Sequence, residues 1–199
     1  MRALSITGAA QRRHLCLAAS ALLAAPCLAV AEGAGASSPA ALRAPLEVSA
    51  HLGTASLSGR ATLRFLGLPI YEARLWVGSE FAAAQYAAHA FALELVYARA
   101  LSGADIAARS VDEMARVGSF TPQQGQTWRA AMGRAFPDVD AGDRITGLHQ
   151  PLGPSRFFHN GQATQTIDGA AFARLFFGIW LAPQTSEPAL RRQLLSLPA

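Results

Sequence analysis

The sequence predicts an α+β fold: a mostly antiparallel sheet with helices packed on one face. Three observations point there. Residues 57–77, LSGRATLRFLGLPIYEARLWV, keep apolar side chains on the odd positions on either side of a Gly-Leu-Pro insert, with Ser58, Arg60, Thr62, Arg64, Glu72 and Arg74 on the even ones, which is the period of a half-buried strand. Between residues 102 and 135 the apolar spacing changes to that of a helix. Asn160-Gly161 then separates two short alternating runs, a strong type I′ hairpin signal because both central positions need positive φ. Strands, helices, a hairpin and further helices form an α+β order and not a βαβ repeat.

Taken in chain order, Leu46–Val48 reads as a short strand. Ala55–Val77 reads as one long strand bent at Gly67 and Pro69, with a hairpin as the alternative. Phe81–Ala90 is alanine-rich and reads as a loop with a helical turn, and Phe91–Tyr97 alternates as a second clear strand. Ile106, Ser110, Met114 and Val117 recur at helical spacing, with Ser102 or Asp105 as cap and Gly118 as the stop. Thr121-Pro122 opens the next helix as N-cap and first-turn proline, and Pro137 ends the run. Arg144–Leu148, Arg156–His159 and Gln162–Ile167 read as strands. Asp168 is the expected cap of a helix that buries Phe172, Leu175, Phe176 and Ile179, and Ser186-Glu187-Pro188 starts a last helix.

The first residues read as a targeting segment. Arg2, Arg12 and Arg13 form a basic stretch, and Leu15–Leu28 is apolar but shorter than the roughly 20 residues of a bilayer-spanning helix. Ala29-Val30-Ala31 fits a cleavage site. The expectation is a signal peptide over 1–31, a flexible tether over 32–45 and one domain over 46–199, located in the periplasm with no transmembrane segment in the mature chain. Both cysteines, Cys16 and Cys27, fall in the leader, so the mature chain can form no disulfide and has no thiol nucleophile.

The formal charge of +4 is largely a leader effect, because three of the 17 basic residues leave with it against 13 acidic ones that stay. Nothing in that balance suggests a nucleic-acid partner, which needs a clustered basic face. The histidines show no metal-ligand spacing, and neither a phosphate loop nor a Gly-x-Ser-x-Gly elbow is present. No metal or cofactor is expected.

Four segments carry a family resemblance: Gly59–Val77 with its Ile-Tyr-Glu-Ala-Arg-Leu-Trp-Val; Ala92–Tyr97 followed by Leu101-Ser102-Gly103; Phe136–Val139 leading into Gly142–Arg144; and Phe157–Gly161 running on to Phe172-Ala173 and Phe177–Leu181. In order and spacing the chain resembles the chalcone isomerase-like family, and within it the exported bacterial branch. The resemblance implies an open-faced sandwich, a large antiparallel sheet backed by helices with a ligand cleft between them. Plant members close a chalcone to a flavanone; other members keep the fold and bind fatty acids. Leu66 stands at the position of a plant threonine that helps orient the water and tyrosine that polarise the ketone, and it has no hydroxyl. The plant segment that supplies the catalytic tyrosine and asparagine is not visible near Ser102–Arg109. Chalcone cyclisation is therefore not the expected activity.

What the resemblance implies instead is a non-catalytic protein that binds an apolar carboxylate such as a fatty acid. Arg64 is then the anion anchor and Tyr71 an added donor; Phe65, Leu66 and Trp76 are read as pocket walls from strand position alone. A guanidinium fork suits a carboxylate, and a phenol adds one donor. Arg64 and Tyr71 differ in parity, so they share a face only if a bulge flips the register. Two alternatives stay open. One is an isomerase or intramolecular lyase acting on an enone, with Tyr71 or Tyr97 as the acid. The other is an accessory protein whose cleft is filled by its own side chains.

Overall fold

The computed structural model describes residues 42–198. The expected leader and all but the last residues of the expected tether lie outside them. Six strands form one antiparallel sheet in the order of the chain: β1 Ser56–Phe65, β2 Leu68–Val77, β3 Phe91–Tyr97, β4 Arg144–His149, β5 Ser155–His159 and β6 Gln162–Ile167. Helices α2 (Gly103–Val117) and α3 (Pro122–Ala135) stand between β3 and β4, and α4 (Ala170–Leu181) and α5 (Pro188–Leu194) follow β6. The odd residues of β2 and β3, with Ile145 and Phe157, pack against Met114, Met132, Phe172, Phe176, Phe177 and Leu194 to form the main core. This is the antiparallel sheet with a helical layer that the residue pattern predicts, and the open-faced sandwich that the resemblance implies.

The long stretch is a hairpin, not a bent strand. Leu66 and Gly67 form a two-residue turn with both φ angles positive, +50° and +81°. Register passes from Leu63↔Tyr71 to Arg64↔Pro69 and leaves Ile70 as an extra residue on β2. That bulge explains why the alternation survives the turn. A two-residue turn pairs Phe65 with Leu68, odd with even, and the extra residue restores odd with odd from Leu63↔Tyr71 to Gly59↔Leu75. On β1, Gly59 lets α5 lie on the sheet edge, because a Cβ there would meet the Gln193 carbonyl oxygen at 2.0 Å.

Two further expectations change. Leu46–Val48 is not a strand but the start of α1 (Leu46–Leu52), which covers part of the opposite sheet face. Val48 packs there with Trp76, Ala92, Leu148 and Phe158. Glu47 accepts from Arg144 Nη2 at 3.0 and 3.1 Å and from the Thr146 hydroxyl at 3.1 Å. Asp168 does not cap α4: Gly169 takes the N-cap position, with no side-chain cap. Ser102 caps α2 through the Asp105 amide, and Thr121 with Gln124 forms a reciprocal capping box on α3.

Candidate functional site

A cavity of about 390 Å³ lies between the sheet and the helices. Its floor is the inward face of β1–β4: Leu63, Phe65, Ile70, Tyr71, Leu95, Tyr97 and Ile145. Its roof is Ile106, Arg109, Ser110 and Glu113 of α2 and Phe176, Ile179 and Trp180 of α4, with Ser186 and Glu187 beyond. The volume falls within the range of small-molecule sites, about 300–1,000 Å³.

Two phenols meet inside this apolar space. Tyr71 and Tyr97 are cross-strand partners, with ring centroids 6.0 Å apart in an edge-on arrangement. Trp180 Nε1 donates to the Tyr71 hydroxyl at 3.0 Å, which leaves the Tyr71 proton free to donate onward. Burial pushes the Tyr71 phenol well above its ordinary range, and the Trp180 hydrogen bond offsets only part of that rise. Burial does the same to Tyr97, with the neighbouring Tyr71 adding to it. Both are therefore neutral donors at physiological pH.

The charged corner is built by α2. Ile106, Arg109, Ser110 and Glu113 share one helical face, and Ser110 returns its hydroxyl to the Ile106 carbonyl at 2.8 Å. Glu113, buried, accepts from the Ser186 hydroxyl at 2.7 Å. Its other oxygen lies 2.6 Å from Arg109 Nη2, off the N–H direction, so the contact is ionic without being an aligned hydrogen bond. The Arg109 side chain is 70% exposed and stands at the edge of the cavity.

The sequence-predicted residues divide between these places. Tyr71, Tyr97 and Phe65 line the cavity. Arg64 does not: it is exposed, opposite Pro69, and donates to the Gly67 carbonyl at 3.1 Å. The extra residue of this bulge is on β2, so alternation along β1 runs unbroken from Gly59 to Phe65. Leu63 and Phe65 face the cavity, and Arg64 between them faces away. Leu66 is at the hairpin turn, in solvent. Trp76 is buried, but on the opposite face, where its indole donates to Glu94 at 2.9 Å. The guanidinium at the cavity is that of Arg109, which sequence reasoning passed over. The signal was available in the inward face of α2, which carries an Arg and a Glu four residues apart where apolar residues would be expected.

No curated protein matches the chain. Among solved structures it is similar to a fatty-acid binding protein of Arabidopsis thaliana, with a TM-score of 0.54 and 11% identity over 72% of this chain and 87% of that one. At that identity the likeness is one of fold. The chalcone isomerase-like family matches residues 49–196, nearly the whole of the described chain, and the chain belongs to that family.

Proposed function

We propose that the cavity binds an apolar small molecule with an acceptor head group, such as a fatty acid, and that the protein does so as an exported, periplasmic member of its family. The observation that carries this reading is the pair of neutral phenols, Tyr71 and Tyr97, facing each other within an apolar cavity of about 390 Å³. Aliphatic chain packs against Leu63, Leu95, Ile145 and Phe176. A buried acceptor is costly unless it finds donors, and two phenols supply them. Arg109 adds a cation at the edge; Glu113 keeps Ser186 as a partner if Arg109 turns to a ligand carboxylate. The fold-level likeness to a fatty-acid binding protein supports the reading. A cleft filled by the protein's own side chains does not fit a cavity of this size.

Native mass spectrometry of protein purified from the envelope of its own cell tests it. The expected result is a co-purified apolar adduct, or uptake of an added long-chain fatty acid, weakened in Tyr97→Phe. A wild-type chain that carries nothing and takes up no fatty acid would refute the reading. The same phenols favour a second reading, acid assistance to an enone isomerisation. Turnover of a chalcone lost in both Tyr71→Phe and Tyr97→Phe would promote it.

A further inference from the structure

Six large apolar side chains are exposed among the described residues, and three of them, Phe65, Leu66 and Leu68, sit at one hairpin end, 66%, 87% and 57% exposed. The backbone there makes the cluster harder to dismiss. Leu66 holds a positive φ that favours Asn or Gly, so the turn accepts strain in order to present a leucine to solvent. Such a broken local rule calls for a gain elsewhere.

We propose that this hairpin end is a bilayer-docking tip. Leu66 and Leu68 enter the acyl boundary of a phospholipid membrane while Arg64 keeps its guanidinium among the headgroup phosphates. Three observations commit the tip to a lipid surface. The patch is three side chains at a two-residue turn, far short of the roughly 20–30 residues a side of a stable protein interface. Exposed arginines flank it: Arg64 on β1, and Arg99, whose neighbour Ala98 donates to the Ile70 carbonyl at 2.9 Å. And the tip is continuous with the cavity, because Phe65 is both part of the exposed cluster and part of the cavity wall. Asp105 and Glu187 also line the cavity, so apolar insertion carries the attachment and the arginines add a preference for anionic lipid.

The inference rests on the ligand-binding reading for its purpose: a ligand passes between bilayer and cavity along Phe65 without crossing water. Its test is separate. The mature chain is mixed with vesicles of phosphatidylcholine and phosphatidylglycerol in equal parts and floated on a density gradient, and fatty-acid uptake by the same preparations is measured by calorimetry. Wild type is expected to float with the vesicles. Leu66→Asn and Leu68→Asn are each expected to reduce the bound fraction about ten-fold, with fatty-acid uptake unchanged. Leu66→Asn is expected to fold at least as well as wild type, since Asn-Gly suits the turn. Wild type remaining at the bottom of the gradient, or both variants floating like wild type, overturns the proposal. Flotation that depends on Leu66, in a protein that takes up no fatty acid, supports docking and overturns the cavity reading instead.

Discussion

The molecule contains two hairpin turns with nearly the same backbone and opposite chemistry. Leu66-Gly67 has φ of +50° and +81°; Asn160-Gly161 has +49° and +86°. Asn160 is tied down on all sides. Its side-chain oxygen accepts from the Arg144 amide at 2.9 Å, its side-chain amide donates to Asp143 at 2.8 Å, and its backbone amide donates to the Arg144 carbonyl at 3.0 Å. Leu66 has no such ties; the bond that crosses its turn runs from the exposed Arg64 to the Gly67 carbonyl. One turn is chosen for stability and holds β5 and β6 against β4. The other gives up a favourable residue to expose an apolar side chain beside a cavity. Near-identical geometry thus leaves the side chain free to report what each turn is for.

Making the second turn like the first should have the largest effect. Asn160→Leu loses two side-chain hydrogen bonds and puts a leucine in the left-handed region, so about 2–3 kcal/mol of stability should disappear in urea unfolding. The glycines should separate next. A Cβ at Gly161 would meet Arg144 Nη2 at 3.3 Å and Glu47 Oε2 at 3.4 Å, whereas nothing lies within 4 Å of one at Gly67. Both alanine variants carry the left-handed penalty of about 1–2 kcal/mol, and Gly161→Ala should cost more by disturbing the Glu47–Arg144 pair. The reverse exchange, Leu66→Asn, should raise the urea midpoint by about 1 kcal/mol equivalent with an unchanged slope.

The smallest effect is a pH dependence confined to one turn. The Asp143 carboxyl lies below its ordinary 3.8, chiefly through the Asp140 amide and then through Asn160. A depressed carboxyl contributes stability that is present above its unfolded value and is lost as pH falls through its folded value. The stability difference between wild type and Asp143→Asn should therefore shrink as pH drops below 3.8. Substitutions at Leu66 should show no such dependence, since its turn has no carboxylate partner. A difference that stays constant through the acid range would show that Asp143 does not stiffen the Asn160 turn.

Most of the fold was legible because its determinants are local. Alternation marked β1, β2 and β3, Ser102 and Thr121 marked helix starts, and Asn160-Gly161 marked its hairpin. The misreadings share a physical cause. The Leu46–Leu52 helix is held by Glu47 on Arg144, a partner 97 residues away that no window can see. The Leu66-Gly67 turn hid because its first residue is the wrong one for its geometry, and because a bulge at Ile70 preserved the parity that a hairpin would otherwise break. The candidate site suffered most. Tyr71 came with Arg64 from the family resemblance and Tyr97 as the nearest other tyrosine, but Arg64 was assigned to a face that the register denies it. Arg109 and Glu113 come from a helix whose inward face cannot be known until the sheet beneath it is in place.

The central claim is that ligand affinity resides in the Tyr71–Tyr97 pair and not in Arg64. Calorimetric titration of a long-chain fatty acid into wild type, Tyr71→Phe/Tyr97→Phe and Arg64→Ala tests it directly. The account predicts binding to wild type, affinity about ten-fold or more weaker in the double variant, and affinity in Arg64→Ala within about two-fold of wild type. Binding that survives loss of both phenols, or that vanishes with Arg64, would contradict it.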